Sequence, residues 1–132
     1  MSGVTPAFRR AWLGLTLLLA LVIIVFSLTP QGLTPQAAGN DKLNHAIAYF
    51  ALSLMAAGVS ETGSLWRVAG YCFGLGALLE ILQGAVTVDR TADWNDLAAS
   101  SAGIFTAWLL LARGGACWAR YVSGWLARRR QP

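Results

Sequence analysis

Residues 76 to 103 read GALLEILQGAVTVDRTADWNDLAASSAG, and this stretch decides the fold of the chain. It predicts an apolar helix that carries Glu80 and Gln83, a short polar loop, and a second apolar helix from Leu97. An ionisable side chain inside a hydrophobic segment is costly, so it marks a candidate functional site. A second polar group stands at the start of an upstream apolar helix and consists of Asp41, Lys42 and His45. We expect the two polar groups to meet.

The composition indicates an integral membrane protein. Of 132 residues, 56% are hydrophobic and only 12% are charged, whereas a soluble domain has about a quarter charged residues. The mean hydropathy is +0.54, and the six Trp residues fit the aromatic belts at lipid–water boundaries. The net charge of +4 does not indicate a nucleic-acid partner, because lipid headgroups explain Arg residues beside apolar segments. Cys72 and Cys117 lack a metal-type spacing.

Apolar segments predict an all-α membrane protein. We expect a four-transmembrane-helix bundle, with spans at about residues 11–28, 43–59, 67–88 and 97–112. The first segment is 18 residues long and uncharged, which is enough to cross the hydrocarbon core. A cleaved secretory signal peptide is the alternative, but its apolar region is normally about 7–15 residues long. We therefore expect an uncleaved helix.

The distribution of Arg and Lys predicts the topology. Four spans place both termini on one side, together with Arg9, Arg10, Arg67, Arg113, Arg120, Arg128, Arg129 and Arg130. Only Lys42 and Arg90 fall on the other side. Because positive residues favour the cytoplasm, we expect residues 1–10 and 113–132 to be cytoplasmic and both polar groups to face outward.

The tail is predicted to form an amphipathic helix in the inner-leaflet interface. Its apolar residues recur on one helical face, which carries Trp118, Tyr121, Val122, Trp125 and Leu126. Arg residues flank this face, as in interfacial helices. A solvated, disordered tail is the alternative. In the third helix, Gly70 and Gly74 have the spacing of a close helix contact, and we expect them to serve packing within the chain rather than dimerisation.

Polar side chains recur on single helical faces. Asp41, His45 and Tyr49 share a face of the second helix, as Glu80 and Gln83 do in the third. We expect Glu80 to point into the bundle, where it pairs with Lys42, Arg90 or His45, or stays protonated. Simpler structural roles are the alternatives: Asp41, Asp93 or Asp96 can cap a helix, His45 can bond a backbone carbonyl, and Glu80 can tie two helices together through Gln83 and a serine.

The whole set predicts a polar site. The candidate catalytic residues are His45, Glu80, Asp93 and Asp96, and the candidate ligand-binding residues are Asp41, Lys42, Tyr49, Gln83 and Arg90. Carboxylates with an imidazole could hold a divalent cation or act as general acid and base. The cations could bind a phosphate or carboxylate. The sequence has no nucleophile motif, phosphate loop or zinc-type Cys/His spacing, so it specifies no reaction.

Three motifs, in this order, resemble the VanZ-like family of small bacterial membrane proteins. They are Asp41-Lys42-Leu43-Asn44-His45-Ala46-Ile47-Ala48-Tyr49, Glu80-Ile81-Leu82-Gln83 and Arg90-Thr91-Ala92-Asp93-Trp94-Asn95-Asp96. The family typically continues with Asn and Gly at the positions of Ser100 and Gly103, so Ser100 is a departure. The resemblance covers about residues 41–103. It implies a protein of the bacterial cytoplasmic membrane, linked in the named family member to lowered teicoplanin susceptibility, and it implies no settled molecular activity.

The residues are compatible with three functions. In the first, the site binds or modifies an anionic envelope component, lipid-linked or peptidoglycan-related, within membrane lipids. In the second, the polar cluster is structural and the chain is a non-enzymatic scaffold or partner-docking module. In the third, the chain is a small proton-coupled carrier, which the absence of an evident internal repeat in the sequence disfavours. The residues do not decide whether turnover occurs or which oligomer forms.

Overall fold

Helices form every regular element that the structure describes. The computed structural model describes residues 4–30, 33, 40–60, 62–87, 92–115 and 117–129. Its α-helices are α1 (Pro6–Leu28), α2 (Asp41–Ala57), α3 (Leu65–Val86), α4 (Trp94–Leu110) and α5 (Ala119–Arg129). A short 3-10 turn, Thr62–Ser64, precedes α3, and a π-type turn, Leu111–Gly115, follows α4. The predicted all-α class is confirmed.

Helices α1, α2 and α4 begin earlier than the apolar pattern predicts, because polar residues or caps contribute to their first turns, and α3 begins at Leu65 instead of residue 67. The Thr5 hydroxyl accepts a hydrogen bond from the backbone N–H of Phe8 at 3.2 Å, and Pro6 occupies the first turn of α1. Asn40 caps α2 by accepting from the N–H of Lys42 at 3.0 Å. Such caps satisfy N–H groups that have no partner within the helix. The predicted starts at residues 11, 43 and 97 therefore become 6, 41 and 94.

Three of the helices are long and apolar enough to cross a membrane. They are α1, α3 and the segment Trp94–Gly115, which continues α4 into the following turn. Their outward faces carry large apolar side chains such as Leu17, Tyr71 and Phe105, which are 70%, 77% and 58% exposed. Such faces suit a lipid environment, where apolar exposure has no cost. With 17 residues, α2 is shorter than these three helices.

Helices α2 and α4 run in the same direction, and their backbones touch at Gly103. A Cβ atom on Gly103 would clash with the carbonyl oxygen of Ala46 and would lie 3.1 Å from the backbone nitrogen of Phe50. Small residues allow such approaches between helices in lipid. The core beside this contact contains Ile23, Tyr49, Leu52, Cys72, Leu79 and Ile104. The contact therefore fixes the spacing of the helix pair on which the rest of the bundle packs.

Two tryptophans tie the opposite end of the bundle together. The Trp12 indole N–H donates to the Met55 carbonyl oxygen at 2.9 Å, and the Trp118 indole N–H donates to the Leu54 carbonyl oxygen at 2.8 Å. The two rings meet edge to face with centroids 4.8 Å apart. This arrangement joins the start of α1, the end of α2 and the residue that precedes α5.

The tail forms the helix that its periodicity predicts, over Ala119–Arg129. Trp118, Ala119 and Val122 pack against the bundle, whereas Tyr121 and Trp125 are exposed. Part of the predicted apolar face thus packs against the bundle, and the rest of this face points away from the protein. Gly114, with φ +111°, makes the turn between α4 and α5 in a conformation that favours glycine.

The predicted internal role of Gly70 and Gly74 is wrong. A Cβ atom on either residue would meet nothing within 4 Å. The buried face of α3 instead carries Cys72, Gly76 and Leu79, and Gly76 lies against the ring of Tyr49. The spacing shows that Gly70 and Gly74 share a face, but it does not say which face the bundle uses.

Replacing Gly103 with Ala tests the α2–α4 contact. We expect Gly103→Ala to destabilise the protein by about 1–3 kcal/mol, the usual cost of overpacking, because the new methyl group meets backbone rather than a movable side chain. Thermal unfolding in detergent, followed by circular dichroism, measures this loss. The control Gly74→Ala should leave the Tm unchanged or raise it, because Ala is the better helix former. Equal melting temperatures for the two variants would contradict the contact.

A polar site at one end of the bundle

The two polar groups of the sequence lie at the same end of the bundle. This end gathers the first turns of α2 and α4 and the last turns of α1 and α3. Contacts from Lys42 to Asp93, from His45 to Ser100 and from Gln83 to the Ser27 carbonyl span these four helices. We call the group formed by Asp41, Lys42, His45, Glu80, Asp93, Asp96 and Ser100 the polar site.

Lys42 bridges α2 to the start of α4. Its Nζ lies 3.3 Å from Asp93 Oδ2 and 3.4 Å from Asp96 Oδ1. The Lys42 side chain is 50% exposed and that of Asp96 only 12%. One exposed ammonium is thus shared by two carboxylates, and an incoming anion would have to compete with both.

The His45 ring lies between two residues one turn apart on α4. Its Nε2 is 3.7 Å from Asp96 Oδ2, and its Nδ1 is 3.5 Å from the Ser100 hydroxyl. The first distance exceeds hydrogen-bonding range and the second is at its limit. Ser100 is buried, so it contacts the ring from the inner side of the bundle. Asp96 lies on the side of the ring that faces the end of the bundle.

Glu80 holds the segment that leads into α4. It is buried, with 7% exposure, so the prediction that it points into the protein is confirmed. Its Oε2 accepts a hydrogen bond from the backbone N–H of Asp93 at 3.1 Å. Lys42, which the sequence suggested as a partner of Glu80, instead bonds Asp93 and Asp96.

Asp93 is the N-cap of α4. Its Oδ1 accepts from the backbone N–H of Asn95 at 2.8 Å and from the Asn95 side-chain amide at 2.9 Å. The bond from the Asn95 N–H lowers the pKa of Asp93, and the ammonium of Lys42 lowers it further. A carboxyl group with a lowered pKa stays ionised at neutral pH. Asp93 is therefore better placed to hold the helix and Lys42 than to donate a proton.

Two predicted ligand-binding residues are almost fully buried. Tyr49 is only 2% exposed and belongs to the core beside Ile23 and Leu79. Gln83 is also 2% exposed, and its amide donates to the Ser27 carbonyl oxygen at 2.6 Å. This bond ties α3 to α1. A ligand at the end of the bundle would not reach either side chain without parting the helices.

Asp41 joins the site from the first turn of α2. One ligand atom each from Asp41, His45 and Asp96 lies within 4.8 Å of the other two. The structure thus places the Asp41 carboxylate close to the His45 imidazole and to the buried Asp96 carboxylate. Arg90, the remaining predicted ligand-binding residue, lies outside the described residues, as does Asp89 beside it.

The sequence did not predict the partners of Glu80, Gln83 and His45 at this site. The partner of Gln83 is a backbone carbonyl, and no side-chain pattern identifies such an acceptor. Ser100 as the neighbour of His45 had a detectable signal, because it lies four residues after Asp96 and thus on the same face of α4. No family model, curated protein or solved structure matches the chain. The VanZ-like resemblance therefore stays a prediction from the motifs.

Removing the Glu80 carboxylate tests its hold on α4. Glu80→Ala leaves the backbone N–H of Asp93 without its acceptor, a loss that costs about 1–3 kcal/mol when a group is buried. We expect faster hydrogen exchange over residues 92–96 and a lower Tm. Glu80→Gln keeps an acceptor oxygen and should exchange nearly as slowly as the wild type. Identical exchange in Glu80→Ala and the wild type would refute this role.

Proposed function

We propose that the chain is a VanZ-like protein that crosses the bacterial cytoplasmic membrane four times, with both termini in the cytoplasm. Support for the fourth span comes from α2. Its 17 residues, at a rise of about 1.5 Å each, reach about 25 Å, which lies at the short end of the spanning range. Because α2 runs in the same direction as α4 and touches it at Gly103, the two helices would cross the same layer.

The charge distribution supports the orientation. The described arginines lie at the starts of α1 and α3, after α4, or on α5. Lys42 lies at the opposite end and is paired with carboxylates. Under the positive-inside rule, the Arg-rich end faces the cytoplasm and the polar site faces outward.

The proposed activity is the binding or modification of an anionic component of the cell envelope, lipid-linked or peptidoglycan-related. One observation carries it: an ammonium, an imidazole and carboxylates from three helices meet at one end of a bundle with apolar outward faces. Lys42 would contact the anionic group. His45 and Glu80 would be the groups that exchange protons, because ionisable residues kept within an apolar bundle are usually functional.

A structural role for the same cluster is the second candidate. The observation that favours it is the pairing of Glu80 with the Asp93 N–H and of Gln83 with the Ser27 carbonyl. Both bonds join separate parts of the chain. In this case the protein would be a non-enzymatic module that docks a partner, and its polar residues would support only the fold.

Antibiotic susceptibility in a teicoplanin-sensitive bacterium separates the two candidates. We expect expression of the chain to raise the inhibitory concentration of teicoplanin several-fold, and His45→Ala to return it to the value of the empty vector. The amount of protein in the membrane should be equal for both chains. Thr106→Ala is the control, because Thr106 lies on α4 away from the site and bonds only its own helix, at the Ala102 carbonyl.

Each other outcome counts against the proposal. Full resistance in His45→Ala would exclude His45 from the activity. Loss of resistance together with loss of the protein from the membrane would favour the structural role. No change on expression of the wild-type chain would remove the link to glycopeptide susceptibility.

A further inference from the structure

We infer that Asp41, His45 and Asp96 form a binding site for a divalent transition-metal ion such as Zn²⁺. Ligand atoms of the three residues lie within 4.8 Å of one another. Zinc bonds nitrogen and carboxylate oxygen at about 2.0–2.2 Å, so neighbouring ligand atoms around one ion are about 3–4 Å apart. The 3.7 Å between His45 Nε2 and Asp96 Oδ2 falls in that range. The site goes beyond the proposed envelope ligand and does not depend on it. With an ion bound, His45 would be a ligand, and Glu80 would be the group that exchanges protons.

The donors come from two helices with a fixed spacing. Asp41 and His45 are one turn apart on α2, so they share a face. Asp96 approaches from α4, and the backbone contact at Gly103 holds that helix close. Two carboxylate oxygens and one imidazole nitrogen are a donor set that first-row divalent metals accept. Three protein ligands also leave a coordination position for water.

The orientation of the His45 ring fits a ligand. In most metal sites the second ring nitrogen of a ligating histidine bonds a neighbouring acceptor, which fixes the ring. Here Nδ1 faces the buried Ser100 hydroxyl at 3.5 Å, and Nε2 faces Asp96. The distance from Nε2 to Asp96 is too long for a hydrogen bond. An ion between these two atoms would fill that gap.

Other residues stand at the N-cap positions of α2 and α4. Asn40 caps α2 and Asp93 caps α4, each through a side-chain oxygen that accepts a backbone N–H. Asp41 and Asp96 follow these two residues, in the first turns of α2 and α4. The N-cap role that the sequence suggested for an acidic residue is confirmed for Asp93.

The balance of charge favours a cation. Within the described residues, the carboxylates at the polar site are Asp41, Glu80, Asp93 and Asp96, and Lys42 is the ammonium among them. Lys42 engages Asp96 through Oδ1, while Oδ2 faces His45. One oxygen of Asp96 is thus directed toward the proposed ion. Lys42 would partly compete with the ion for this carboxylate.

Zinc titration of the full-length protein tests the inference. The protein is purified in detergent, freed of metal with EDTA and titrated with Zn²⁺ by calorimetry. We expect one ion per chain and an affinity that falls at least about 100-fold in His45→Gln and in Asp96→Asn, because each removes a direct ligand. Asp93→Asn removes the same charge from the same site but no proposed ligand. It should change the affinity less than about three-fold.

A variant that gains affinity separates ligation from simple structure. Lys42→Gln frees Asp96 from its ammonium, so the affinity for Zn²⁺ should rise several-fold. Asp41→Asn should lower it as Asp96→Asn does, and it provides a second ligand variant if Asp96→Asn fails to fold by circular dichroism. Absence of saturable binding, or equal losses in Asp93→Asn and Asp96→Asn, would overturn the site. Unchanged affinity in His45→Gln would do the same.

Discussion

The contact between the backbones of α2 and α4 at Gly103 is the constraint on which the polar site depends. Only a residue without a Cβ atom allows the Ala46 carbonyl to come so close. At this separation short side chains can meet across the helix pair, so His45 lies near Asp96 and Ser100. A wider spacing would move these groups beyond each other's reach. The chemistry at the end of the bundle thus follows from packing in its interior.

The two ends of the bundle are held by different interactions. At one end, indole N–H groups of Trp12 and Trp118 bond backbone carbonyls of α2, which is how large aromatic residues are kept at interfaces with one polar atom satisfied. At the other end, charged side chains pair with each other, and Glu80 accepts a hydrogen bond from the backbone N–H of Asp93 at the start of α4. In the proposed topology the first end faces the cytoplasm. The described charged candidates Lys42, His45, Glu80, Asp93 and Asp96 thus lie at one end of the bundle.

Much of this fold could be predicted from sequence, because hydrophobic periodicity reports which segments are helices. The burial of Glu80 was also predictable, because a carboxylate in an apolar helix avoids lipid. The pattern could not show which partner Glu80 finds, since that partner is a backbone N–H. It also failed for Gly70 and Gly74, because periodicity fixes a shared face without choosing the buried one. Deep positions such as Tyr49 share a helical face with site residues, and sequence alone does not give their depth.

The side of the membrane on which the polar site opens can be measured directly. In a chain whose native Cys72 and Cys117 are replaced, single cysteines at the exposed positions Trp94 and Arg128 are treated with an impermeant maleimide in right-side-out membrane vesicles. If the polar site faces outward, Trp94→Cys is labelled at once and Arg128→Cys only after the vesicles are permeabilised. Labelling of both positions from the same side, or the reverse order, would contradict this orientation.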